Sequence, residues 1–244
     1  MAGTMKRLYV DAPLHGDALI EAGAEQANYL LNVLRLSPGA QVLLFNGRDG
    51  EWLAEIAAAG KRRCSLRVLT ATRVQQGGPD IHYLFAPVKR ARLDFMVEKA
   101  TELGVAAIRP VMTRRTIVAR VNMARMRANA IEAAEQCGIL RIPDIHAPVK
   151  LEALLAEPDP ARPIIYCDEE APVASPLEAL ERLQRGTPVA VLIGPEGGFD
   201  PAERALLREL EGVCPISLGP RVMRADTAAV AALALVNAVL GDWR

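Results

Sequence analysis

The sequence predicts an α/β protein in two parts: a small β-barrel, then a strand–helix alternating domain with a mostly parallel sheet. Three observations predict it. Residues 1–72 hold short apolar runs separated by turn residues. Beyond a polar, glycine-bearing break, apolar runs of strand length alternate with stretches of helical period. Hydrophobic residues make up 51% of 244 positions, enough for a packed core in one large domain or two modest ones, which argues against disorder.

In the first part, strands are expected at 7–10, 41–46, 51–56 and 65–70, with one helix at 25–34 that ends before Ser37-Pro38-Gly39. Asn46-Gly47-Arg48-Asp49-Gly50 reads as a hairpin connection, because Asn and Gly accept the positive φ that tight turns need. Several short strands joined in this way are the pattern of a small barrel. The boundary is expected in Gln75-Gln76-Gly77-Gly78-Pro79, which gives domains at 1–74 and 78–244.

In the second part, 81–85 reads as a strand. Leu93, Met96, Val97, Ala100 and Leu103 repeat at helical spacing, and Gly104 stops that helix. A strand at 106–112 and a helix at 123–136 follow, then strands at 164–167, 189–193 and 214–218 with helices between them. Such alternation implies a parallel sheet covered on both faces. The last helix, 226–240, is apolar almost all round, so it is expected to be buried in the core or against a second copy of the chain.

The 29 basic and 29 acidic residues balance, yet unevenly: residues 76–150 carry 12 basic and 7 acidic groups, and residues 151–244 carry 8 and 15. A basic middle beside an acidic end fits one face for a polyanion, and equally a mixed solvated surface. Cys64, Cys137, Cys167 and Cys214 form no Cys-x-x-Cys pair, and no His stands at ligand spacing, so no metal is expected and the thiols read as small buried residues in a reducing compartment. No secretory signal is expected at the N-terminus. The longest apolar stretch, 228–240, is shorter than the ~20 residues a membrane span needs, so a cytoplasmic protein is expected.

Two segments carry most of the chemistry: Ile193-Gly194-Pro195-Glu196-Gly197-Gly198-Phe199, and Leu218-Gly219-Pro220-Arg221-Val222-Met223-Arg224 with Ala225-Asp226-Thr227-Ala228 after it. Each follows a strand and leads into a helix. Glycines let backbone amides approach a flat ligand closely, and Glu196 can accept hydrogen bonds. Gly197 is expected to be a position where any side chain blocks the ligand. Asp200, Pro201 and Glu203 read as N-cap, first and third positions of the next helix. Acids there, with no Gly-x-Gly-x-x-Gly and no Lys-Ser/Thr, disfavour a phosphate cradle. A neutral or cationic nucleoside fits better, and an ordinary tight turn before a capped helix stays open. In the second segment, Arg221 and Arg224 suit a phosphate or a carbonyl oxygen. Asp226 reads as the N-cap of the last helix, and Arg224 could instead salt-bridge Asp226 or Glu196.

These two segments resemble the RsmE family, the 16S ribosomal RNA uracil-N3 methyltransferases of the SPOUT class. Glu98-Lys99-Ala100-Thr101-Glu102-Leu103-Gly104-Val105 resembles its first helix, and Glu135-Gln136-Cys137-Gly138 with Arg141 its second. Val33-Leu34-Arg35-Leu36 before Pro38-Gly39 resembles its N-terminal domain. The likeness runs co-linearly through nearly the whole chain. It departs at Asn28, where a His is frequent, and at Ala225-Asp226, in place of a more usual Thr-Glu.

The resemblance implies a PUA-like RNA-binding barrel, a SPOUT domain with a deep trefoil knot near 190–240, and a homodimer joined through the last helix. It implies S-adenosylmethionine held by Leu192, Ile193, Gly194, Pro195, Glu196, Gly197, Gly198, Leu218, Gly219, Arg221, Val222, Met223 and Thr227. The implied reaction is methyl transfer to N3 of a uridine in 16S rRNA or the assembled small subunit. Arg224 is the candidate for stabilising charge on a uracil oxygen, and Asp226 a candidate base; Asp168 and Glu169 could hold the ribose or face solvent.

RNA contact is expected from Lys6, Arg7 and Arg35 in the barrel and from Lys89, Arg90, Arg92, Arg114, Arg115 and Arg120 beyond it, with Arg125 and Arg127 on a solvated helix face. Aromatic residues at 4% leave little for stacking on single-stranded RNA. A SPOUT enzyme acting on another RNA position, or a non-catalytic ribosome-assembly factor, are the competing readings. A dehydrogenase lacks its first-strand glycine fingerprint.

Overall fold

A computed structural model describes residues 5–60, 63–168, 170–171 and 175–243, with Arg90 in its backbone alone. The chain divides into two compact units. One holds residues up to Gly77 together with Ala134–Arg141; the other holds Gly78–Ala133 and the chain from Ile142 onward.

The first unit is built on five strands, β1 (Arg7–Tyr9), β2 (Leu19–Glu21), β3 (Gln41–Phe45), β4 (Glu51–Ala59) and β5 (Cys64–Arg73), ordered β1-β3-β4-β5-β2. The short strand β2 falls where no strand is expected from sequence. It shows one buried residue, Ile20, between two exposed ones, too little alternation to register as a period. The β3–β4 hairpin turns through Asn46-Gly47-Arg48-Asp49-Gly50, with Gly47 at φ 85° and Gly50 at φ 80°. Asn46 Oδ1 accepts from the backbone N–H of Arg48 and Asp49 and stiffens that turn. Register shifts along β4–β5 bend the ladder and raise its twist, and Leu8, Val42, Leu44, Ala54, Ile56, Leu66 and Val68 form the core. The expected helix at 25–34 is α-helical over α1 (Ala24–Asn28) and continues as a π-helical turn over Tyr29–Val33. It ends at Arg35, whose φ of 55° takes the chain out of the helix.

The second unit carries β6 (Ile81–Phe85), α2 (Arg90–Glu102), β7 (Ala107–Met112), α3 (Met123–Cys137, whose last turn groups with the first unit), β8 (Asp144–Ile145), β9 (Val149–Lys150), α4 (Leu151–Ala156), β10 (Ile164–Cys167), α5 (Pro176–Leu180), β11 (Val189–Ile193), α6 (Pro201–Glu209), β12 (Val213–Ile216) and α7 (Ala225–Val239). Every pairing is parallel, in the order β12-β10-β11-β6-β7-β8 with β9 also on β7. Both faces are covered, as the strand period of two requires. Tyr83, Phe85, Val189, Val191 and Ile193 share one core with residues of α2, α5 and α7. Leu84, Ala190 and Leu192 point the other way, into a core with Phe199 and residues of α4 and α6. Gly104, at φ 75°, ends α2 as its place after Leu103 requires. No helix among the described residues is long and apolar enough to cross a membrane.

Candidate functional site

The neighbouring strands β12, β10 and β11 end side by side, and the segments leaving their carboxyl ends form the site. In open parallel sheets this is where ligands bind. After β11, the chain turns at 194–200. Gly198 sits at φ 66°, and its N–H donates to Pro195 O at 2.9 Å. A Cβ on Gly194 would stand 2.6 Å from the ring of Phe199, which is buried edge-on to Tyr166. Packing therefore demands glycine at 194, and backbone conformation demands it at 198. At Gly197 a Cβ meets only the Arg115 side chain, at 3.7 Å, so the protein's own packing leaves room there. Asp200 then caps α6. Its side chain accepts from Ala202 N, while Glu203 Oε2 accepts from Asp200 N, a reciprocal capping box built on the N-cap and third position expected from sequence.

After β12, the segment 217–224 turns at Gly219, φ 104°, into α7. The N-cap of α7 is Arg224, not Asp226. Arg224 has extended backbone and its carbonyl accepts from Ala228 N at 2.8 Å, which places Asp226 inside the first turn, with its Oδ1 accepting from Thr227 N.

The two segments face each other across a cleft of about 230 Å³, lined by Cys167, Ile193, Gly194, Pro195, Glu196, Gly198, Phe199, Val222, Met223, Arg224, Ala225 and Ala228. A smaller recess of about 80 Å³ adjoins it, bounded by Cys167, Asp168, Leu218, Gly219, Arg221, Val222, Met223 and Ala228. Most residues singled out in the two segments thus meet in one place. Leu192, Gly197, Asp226 and Thr227 do not line it: Leu192 is wholly buried in the core on the other sheet face, and Thr227 is exposed. Cys167, Phe199, Ala225 and Ala228 line it without a polar signature that sequence could reveal.

The electrostatics are specific. Glu196 does not pair with Arg224; it accepts from Arg92 at 3.0 Å, and the same guanidinium lies 3.9 Å from Asp226. Arg224 is exposed and forms no ion pair among the described residues. Burial pushes the Cys167 thiol up to about 12, so it lines the cleft as a neutral group. Burial also holds the Tyr83 hydroxyl neutral; it lies close enough to Cys167 and Asp226 to feel both, and finds no hydrogen-bond partner among the described residues. Asp168 is buried rather than solvated. Its Oδ2 accepts from Arg208 Nε at 3.0 Å and Nη2 at 2.6 Å. Glu169 lies outside the described residues.

The basic candidates divide. Arg7 is spent inside the first unit. It donates to Glu51 at 2.7 Å, to the carbonyls of Ala134, Glu135 and Ile139, and lies 4.3 Å over the Phe45 ring. With its side chain 9% exposed, it is structural. Arg92 bridges Glu196 and Asp226, Arg114 pairs with Asp200 at 3.1 Å, and Arg115 donates to Gly197 O at 2.7 Å. Arg125 is held by Asp94, so its helix face is not merely solvated. Lys6, Arg35, Lys89 and Arg120 are exposed, and the side chain of Arg90 lies outside what is described. Cys64 is buried as expected, whereas Cys137 is exposed at the end of α3.

The comparisons with known proteins agree with this layout. An RNA methyltransferase domain matches residues 76–237, and an RNA methyltransferase PUA domain matches residues 22–69. Ribosomal RNA small subunit methyltransferase E of Rickettsia conorii is 30% identical, over 95% of this chain and 94% of its own length. A methyltransferase from Legionella pneumophila, solved with bound cofactor SAM, is 32% identical with a TM-score of 0.87, covering 98% of this chain and all of that one. Ribosomal RNA small subunit methyltransferase E from Neisseria gonorrhoeae, solved bound to S-adenosyl methionine, is 27% identical with a TM-score of 0.88 over 99% of this chain and all of that one. With a PUA domain preceding an RNA methyltransferase domain, and a relative this similar end to end, the chain belongs to the ribosomal RNA small subunit methyltransferase E family.

Proposed function

We propose that the chain transfers the methyl group of S-adenosylmethionine to N3 of a uridine in the 16S RNA of the small ribosomal subunit. The observation that carries this reading is the meeting of both glycine-bearing segments and Arg224 on one cleft at the strand ends. The cleft suits such a donor. Ile193, Pro195, Met223 and Ala228 offer apolar walls, and Glu196 and Asp168 offer acceptors for a ribose or a cationic amine. Tyr83 adds a buried hydroxyl beside Cys167 that lacks a partner among the described residues.

When bound, S-adenosylmethionine supplies an electrophilic methyl group on sulfur. The chain's residues have the remaining tasks. N3 lies on the pairing edge of the base, so the uridine must be unpaired or flipped out. Loss of its proton places negative charge on the uracil oxygens, and Arg224 at the cleft rim stabilises that charge. The cleft walls align the two partners and keep water away from the reacting atoms. Asp226 is not given the role of base, because it lies outside the cleft lining and faces Arg92.

The same reading makes the chain a cytoplasmic homodimer. The half-buried Val230, Ala231, Ala234 and Leu235 of α7 support an interface there. The path from β11 through α6 to β12, which returns past β10, supports a knotted segment near 190–240. The exposed Lys6, Arg35, Lys89 and Arg120 support an RNA-binding surface. Mass-spectrometric mapping of 16S rRNA from cells lacking the protein tests the reading. One N3-methyluridine should vanish and return on complementation; an unchanged modification pattern rules the proposal out.

A further inference from the structure

Beside the cleft lies a second cavity, of about 530 Å³, lined by Arg115, Glu170, Phe199, Pro201, Arg204, Ala205 and Arg208. Phe199, a buried ring, lines both cavities. The described lining holds three arginines and one acid. The arginines are set in place. Arg115 is tied to Gly197 O at 2.7 Å, which leaves its other N–H groups available. Arg204 and Arg208 stand one helical turn apart on α6 and are steered from beneath by buried Asp168, at 3.7 Å and 2.6 Å. Above them the Glu170 carboxylate, 63% exposed, reaches Arg204 at 2.6 Å and Arg208 at 3.8 Å. Two adjacent guanidinium groups here grip an oxyanion that solvent can reach, and planar guanidinium forks match phosphate as well as carboxylate.

We infer that this cavity is a phosphate subsite for the substrate RNA: Arg115, Arg204 and Arg208 bind a backbone phosphodiester next to the target nucleotide, and Glu170 occupies the place of that phosphate until RNA displaces it. The inference rests on the proposed RNA methyltransferase function. It assigns Glu170 an inhibitory role, because its carboxylate competes with the phosphate and must be released into solvent. It also explains how the donor cleft and the RNA backbone are kept in register, since Arg115 joins the phosphate subsite to the glycine segment through Gly197.

The test uses the full chain, S-adenosylmethionine, and small subunits purified from cells lacking the protein. Glu170→Gln should lower KM for subunits about 3-fold or more, whereas Arg208→Gln should raise it about 5- to 10-fold and flatten the log–log salt dependence by roughly one phosphate contact. In the double variant, the Glu170→Gln gain should shrink. Donor affinity measured by calorimetry should stay within about 2-fold in Glu170→Gln, and thermal melts report that each variant is folded. If KM and salt dependence are unchanged in both single variants, the subsite is wrong. If instead Glu170→Gln raises donor affinity about 3-fold or more and leaves KM for subunits unchanged, the cavity serves the donor's carboxylate and the RNA assignment is overturned. Absence of methylation by the wild-type chain would sink the functional reading itself, an outcome distinguishable from both.

Discussion

Arg224 and Arg7 look alike in sequence, each an arginine beside an apolar segment, yet the structure gives them different surroundings. Arg224 lines the cleft with no ion pair among the described residues, so its charge is available to the proposed reaction. Arg224→Ala should reduce turnover on small subunits about 100-fold, the scale of losing one donor to a developing oxyanion, while calorimetry finds donor affinity within about 3-fold. Arg7, by contrast, compensates the buried carboxylate of Glu51, whose side chain is 4% exposed. Removing one partner of a buried pair strands the other; Arg73, 3.7 Å from the same carboxylate, offsets part of that loss. Arg7→Ala should therefore cost about 2–4 kcal/mol in denaturant unfolding and leave the salt dependence of RNA binding unaltered. The third residue of note is His82. Burial, then the nearby Arg162 charge, lowers its pKa to about 4. The native state keeps it neutral while the unfolded chain protonates near 6.5. Its contribution is complete above pH 6.5, is lost as pH falls toward 4, and is constant below that. Thermal melts should show this decline, on the order of 1–3 kcal/mol, and His82→Gln should flatten it.

Among the elements, α6 shows how local chemistry and tertiary position combine. Asp200, Pro201 and Glu203 form a start signal that is legible in sequence, and the structure uses it as written. Glu203 does more than cap. It is 2% exposed, and its two oxygens accept from Asp200 N and from Arg114 N at 2.8 Å, so it fastens the chain after β7 to the start of α6. Glu203→Ala should cost about 2 kcal/mol, more than the ~1 kcal/mol typical of a lost cap, because two part-buried N–H groups lose their acceptor. Equilibrium unfolding in urea measures the difference. The long strands and helices of the second unit were readable because β6, β10 and β11 are continuous apolar runs and α2 and α3 keep a helical period. The elements β2, β8, β9 and α4 were not, since two to six residues carry too little periodicity. The π-helical turn after α1 is not legible for a related reason: its residues are ordinary helix formers and carry no local signal for the wider winding.

For the molecule as a whole, donor binding and stability are linked. The cleft is assembled from segments far apart in the chain, Cys167, 193–199 and 218–228, and the unfolded chain has no such site. S-adenosylmethionine at about 100 times its Kd should therefore stabilise the protein by about 2.7 kcal/mol, seen as a rise in Tm of the second unit's transition; an unchanged Tm at that concentration would count against the cleft as the donor site.

Composition, apolar period and turn residues were enough to determine a strand-rich first part, a parallel α/β second part, and two glycine-bearing segments at strand ends. These are local properties, written in neighbouring residues. Sequence could not say that Leu192 turns away from the cleft while Ile193 lines it, that Arg92 and not Arg224 meets Glu196, or that Arg7 is buried against Glu51. Those outcomes depend on which residues far apart in the chain are brought within a few ångströms, and a charged side chain's role follows from the partner it finds there and the water it loses.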